Sequence, residues 1–95
     1  MNETKEKKFV GVGEIRCGRE RKLFVKYLWA YSEPQFRGRI FRKLREEYPN
    51  LSFRYPDLVQ VGTPHFLWKP FETKEITNLP KEEVKKIVST LQKPL

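Results

Sequence analysis

The sequence predicts an α/β domain: a mixed four-stranded sheet in the order β-α-β-β-β-α, a helix on each face, and a basic arm in front. Three observations predict it. Residues 22–31 (KLFVKYLWAY) are a nearly unbroken β-forming run. Residues 32–48 repeat apolar side chains every four positions, and residues 80–92 repeat them at i, i+3, i+4 and i+7. A chain of 95 residues has room for one small domain. Its two Trp, four Tyr and seven Phe are more aromatic area than a disordered tail carries. No apolar run approaches the roughly 20 residues of a membrane span.

Residues 1–21 are polar and rich in Lys, Arg and Gly, so they read as a basic N-terminal arm, with residues 22–95 as the domain proper. Within the arm Val10, Val12 and Ile15 offer at most a short edge strand. The start resembles neither a cleavable secretory signal nor an acid-poor transit peptide, because Glu3 and Glu6 interrupt it. In residues 22–31, Phe24, Val25, Tyr27, Leu28 and Trp29 follow one another almost without a break, as in a strand buried on both faces at mid-sheet.

The first helix is expected over residues 32–48. Ser32 suits the N-cap, Glu33 suits the positive end of the helix dipole, and Pro34 is tolerated in a first turn whose N–H groups lack partners. Phe36, Ile40, Leu44 and Tyr48 form its apolar stripe, with Phe41 beside it, and Pro49 stops it. Leu51, Phe53 and Tyr55 alternate as a strand that Pro56 closes. Residues 57–64 connect to a strand over residues 65–69, ended by Pro70, and residues 74–77 form a fourth. The second helix starts at Pro80, with Glu82 and Glu83 in its first turn and Val84, Ile87, Val88 and Leu91 on one face. Strand, helix, strand makes a right-handed parallel βαβ unit. The last two strands, a few residues apart, pair antiparallel.

Lys and Arg number 20 against 12 Asp and Glu, a net charge of +8, which points to an acidic partner such as RNA, anionic headgroups or an acidic protein surface. One cysteine, Cys17, excludes an internal disulfide framework. One cysteine and one histidine, His65, fall short of a four-ligand structural zinc site. Cys17 sits in a Gly- and Arg-rich stretch with no motif to orient a nucleophile. Arg39, Arg42 and Arg45, with Arg37, are the candidate contacts for an acidic partner.

Two segments resemble the thioredoxin-like fold. In Leu28-Trp29-Ala30-Tyr31-Ser32-Glu33-Pro34-Gln35, a Trp-Ala pair leads into a helix as it does before Cys-x-Pro-Cys, with Ser32 and Gln35 where the two cysteines would stand. Gly62-Thr63-Pro64-His65-Phe66 looks like the segment whose proline is cis, so the resemblance makes Pro64 a structural cis-proline. Disulfide exchange needs an attacking thiolate and a resolving thiol. Serine and glutamine supply neither, so the resemblance implies a vestigial redox motif and no catalytic residues.

A cysteine-poor branch of that fold is more similar still: the family shared by a small matrix-arm accessory subunit of mitochondrial complex I and certain mitochondrial ribosomal proteins. Ser32, Gly38-Arg39-Ile40-Phe41, Tyr48-Pro49-Asn50-Leu51, Pro64 and Lys81-Glu82-Glu83-Val84 carry the likeness. It implies a non-catalytic structural subunit of complex I (NADH:ubiquinone oxidoreductase) on the matrix side of the mitochondrial inner membrane, held by protein neighbours. No cofactor, metal or small-molecule substrate is expected. The alternative is a mitochondrial ribosomal protein whose basic surface contacts rRNA.

Overall fold

The structure, a computed structural model, describes residues 5–54 and 63–92, except the side chain of Pro70. The described elements are β1 (Lys7–Cys17), β2 (Glu20–Ala30), α1 (Glu33–Glu47), β3 (His65–Glu75) and α2 (Lys81–Gln92). The strands form one three-stranded antiparallel sheet in the order β2-β1-β3. One isolated parallel bridge, Ser52 to His65, adds to it.

Both helices stand where their apolar spacing places them. Ser32 caps α1: its Oγ accepts the Gln35 N–H at 3.3 Å, and the Gln35 Oε1 accepts the Tyr31 N–H at 2.7 Å. Ser32 thus satisfies an amide the helix leaves free, and Gln35 reaches back to the amide of the residue before the cap, a variant of the capping box. Phe36, Ile40 and Leu44 of α1 are buried against Phe9, Ile15, Phe24 and Ala30 on one face of the sheet, together with Phe66 and Phe71. On the opposite face Val10, Val12 and Ile76 pack with Val84, Ile87, Val88 and Leu91 of α2.

The N-terminal segment corrects the expected arm. Residues 7–17 are the central strand, with Val10, Val12 and Ile15 among the most buried side chains. Gly11 and Gly13, which read as linker, are sites of close approach. A Cβ at Gly11 would collide with Ile40 Cδ1, and one at Gly13 would lie 2.7 Å from the Phe24 ring. The turn into β2 is Gly18-Arg19, where Gly18 takes φ +61°. A positive φ at the first of two turn residues matches the right-handed twist of a tight hairpin.

Three further expectations change. Residues 22–30 lie within β2, which among the described residues is an edge strand rather than a central one, because the hairpin brings β1 to its inner side. Among the described residues the parallel βαβ unit is not formed: β2 pairs with β1, and Leu51–Phe53 contribute the single Ser52 bridge. Residues 65–69 and 74–75 are parts of one strand, β3, not a hairpin, and Ile76 and Thr77 lie beyond its end. Where β3 passes Val12 to Glu14, its partner residues jump from Glu72 to Leu67, so the surplus residues bulge out of the ladder. Pro70 falls in that bulge, where no ladder N–H is needed. The expected mixed four-stranded sheet is therefore, among the described residues, a three-stranded antiparallel one. Tyr55, Pro56, residues 57–62 and residues 1–4 lie outside the described residues.

Candidate functional site

Three of the four arginines expected to contact a partner are engaged within the chain. The Arg37 guanidinium pairs with Glu33 at 3.0 Å and lies over the Phe71 ring. Arg39 is held by Glu6 at 2.9 Å and by the Trp29 carbonyl. Arg45 covers the Phe53 ring at 5.1 Å. Arg42 alone stands exposed without such an engagement. Ser32 and Gln35 cap a helix, as described above. Pro64 precedes β3, and its carbonyl accepts the Ser52 N–H at 2.9 Å. Gly62 lies outside the described residues.

A different set of residues comes together between the rim of the sheet and α2. A groove of about 460 Å³ is lined by Lys8, Tyr27, Trp29, Ile76, Asn78, Leu79, Lys81, Val84 and Lys85. The antiparallel register builds its sheet side. Lys8 lies directly opposite Trp29, and Val10 directly opposite Tyr27. Opposed residues share a face, and residues two apart on a strand share it too, so both rings stand on the α2 side about 6.8 Å apart along β2. They are 47% and 49% exposed, in contrast to the buried Val10 beneath.

The other wall is positioned by the end of β3. The Lys8 N–H donates to Thr77 Oγ1 at 2.9 Å, and the Ile76 N–H donates to the Lys8 carbonyl at 2.7 Å. These bonds fix the turn after β3 against the start of β1. Asn78 takes φ +62° in that turn, a conformation asparagine tolerates better than most residues. The Leu79 N–H then returns to the Ile76 carbonyl, and the Pro80 carbonyl accepts the first helical bond from Val84. The first turns of α2 thereby face the two rings, with Lys81, Val84 and Lys85 on the groove side. None of Lys8, Lys81 and Lys85 forms an ion pair among the described residues.

Two half-exposed rings with an apolar floor and three free ammonium groups suit a ligand with flat faces and negative charge. Stacking supplies short-range attraction, and the lysines supply long-range steering. The groove was missed in the sequence because its walls lie far apart along the chain. The one local signal was the odd-numbered series Leu23, Val25, Tyr27, Trp29, which runs along a single face.

Elsewhere, His65 is only 5% exposed and neither ring nitrogen has a hydrogen-bond partner among the described residues. Cys17 is a half-buried free thiol at the hairpin tip. No group of three or more His, Cys, Asp or Glu that could hold a metal ion occurs among the described residues. No described helix is long and apolar enough to cross a membrane. No protein-family model matches the chain, and no curated protein or solved structure matches it either.

Proposed function

We propose that this chain is a non-catalytic RNA-contacting subunit of a larger assembly, in line with the mitochondrial ribosomal reading of its sequence. The observation that carries the proposal is the exposed Tyr27–Trp29 pair framed by Lys8, Lys81 and Lys85 in one groove. Unpaired bases stack on the two rings, and the three lysines meet the phosphates. Each lysine that neutralises a phosphate releases a counterion, so binding weakens with salt. For three contacts to a single strand, log affinity falls against log salt with a slope of about −2.

Titration of fluorescently labelled oligouridylate with the protein, followed by anisotropy, tests this. The expected result is binding that is lost as salt rises, with affinity at least about fivefold lower in Trp29→Ala, since a stacked base contributes about 1–3 kcal/mol. The combined Lys81→Glu, Lys85→Glu variant should flatten the salt slope. Absence of binding at low salt, or unchanged binding in Trp29→Ala, overturns the reading. In the cell, it requires co-sedimentation with ribosomal particles that RNase abolishes.

A second reading, the matrix-arm subunit of complex I, is favoured by the passage from β2 into α1. Trp29-Ala30 ends the strand, Ser32 caps the helix and Pro34 lies in its first turn, as the thioredoxin-like resemblance expects. It ranks second because it gives no use to the exposed Tyr27–Trp29 pair and the three lysines beside it. RNase-insensitive co-migration with NADH dehydrogenase activity would favour it over the first.

A further inference from the structure

The outer edge of β2 presents a row of backbone groups beside the groove, with which it shares Tyr27. In a two-residue hairpin the closing pair, here Cys17 and Glu20, exchanges hydrogen bonds, and alternate pairs do so thereafter. Lys22, Phe24, Lys26 and Leu28 therefore aim their backbone groups at β1. Arg21, Leu23, Val25, Tyr27 and Trp29 aim theirs outward. Two contacts bear this out. The Trp29 carbonyl accepts from the Arg39 guanidinium, and the Tyr31 N–H is taken by Gln35 Oε1. These side chains close the edge at its α1 end. From Arg21 to Tyr27 nothing covers it among the described residues.

An open row of alternate amides and carbonyls, repeating about every 6.8 Å, is complementary to another extended polypeptide. The side chains specify which kind. On the α1 side of the edge stand Lys22, exposed, and Lys26, which is held by Glu47. On the α2 side stand Leu23, 61% exposed, Val25 and Tyr27. Arg19 and Arg21 lie at the hairpin end, and Glu20 is the one acid between them. We propose that the β2 edge adds an extended strand from a partner protein in which acidic and apolar residues alternate, acids toward Lys22 and apolar residues toward Leu23 and Tyr27. This is β-augmentation: main-chain hydrogen bonds supply affinity and the alternating side chains supply selection. A second copy of this chain fits less well, because it would bring its own Arg21 and Lys22 to an edge that already carries them.

The test uses the whole chain and a synthetic peptide of alternating Glu and Val, with a Lys-Val peptide of equal length as control. Hydrogen exchange of the free protein should show fast amides at Leu23, Val25 and Tyr27 and protected ones at Lys22, Phe24 and Lys26. Saturation with the Glu-Val peptide should slow the first set at least tenfold, and the Lys-Val peptide should leave it unchanged. Leu23→Pro removes one outward N–H that β1 does not use, a position where an edge strand accepts proline. It should cut Glu-Val affinity at least tenfold while leaving oligouridylate binding unchanged. Equal protection by both peptides, no protection by either, or Glu-Val binding that survives Leu23→Pro overturns the proposal. So does sedimentation of the free chain as a dimer with these amides already protected, which would assign the edge to a second copy.

Discussion

The two faces of the sheet are built to different standards. Under α1 the packing is sealed: Phe36, Ile40 and Leu44 have no exposed surface, and the Phe41, Phe66 and Phe71 rings meet edge-on or tilted at about 5 to 6 Å. Under α2 it is open. None of that helix's residues is fully buried, and Tyr27, Trp29 and Leu79 remain exposed beside it. The difference teaches a division of labour. Apolar area that disappears under α1 stabilises the fold, while apolar area left in reach beside α2 is available to a ligand.

Substitutions ranked by size can break this contrast. The largest effect is expected under α1, where Phe36→Ala leaves a cavity between Phe9 and Gly11 and should cost about 3–5 kcal/mol in chemical denaturation. A loss below 1 kcal/mol would mean that the face is not the structural one. Gly13→Ala comes next. Its new methyl group would lie 2.7 Å from the Phe24 ring and 3.3 Å from that of Phe71, so the rings must shift and about 1–3 kcal/mol should be lost. On the other side, Val88→Ala removes two carbons from a half-buried position and should cost about 1 kcal/mol. If it matched Phe36→Ala, α2 would be as essential to the core as α1.

Two smaller effects sharpen the picture. His65→Leu removes ring nitrogens that are buried without partners among the described residues, so the melting temperature should rise, by the equivalent of about 1 kcal/mol. A clear fall would reveal a partner for the imidazole. Trp29→Ala should cost about 1 kcal/mol, well below Phe36→Ala, since half the ring already faces water, even as it removes the stacking surface.

Much of the chain was legible because its signals are local. The four-residue spacing of Phe36, Ile40 and Leu44, the Ser32 cap and Pro49 fix α1 within a few residues of its neighbours, and α2 declares itself in the same way. β1 was not legible for a definite reason. Its centre, Val10-Gly11-Val12-Gly13, carries glycines where α1 and the Phe24 ring need space, and glycine reads as linker when the neighbour that demands it is distant in sequence. The split of β3 into two strands came from Pro70, which a bulge accommodates without ending the strand. The arginines of α1 read as partner contacts, and no local pattern reveals that Glu33, Glu6 and two phenyl rings engage three of them. The groove joins residues 8, 27 and 29 to residues 76–85, a meeting decided by the β2-β1-β3 order rather than by any local pattern.

β1 precedes the other described strands in the chain and ends up between them. β1 can zip to β2 as soon as the Gly18 turn forms, but its other side must wait for a partner some sixty residues downstream, as the pairing of Phe9 with Glu75 requires. Closing so long a loop is slow compared with forming a hairpin. A nascent chain therefore passes through a stage in which Val10 and Val12 are bare and two strand edges are open, and it relies on prompt completion of its C-terminal third to escape aggregation.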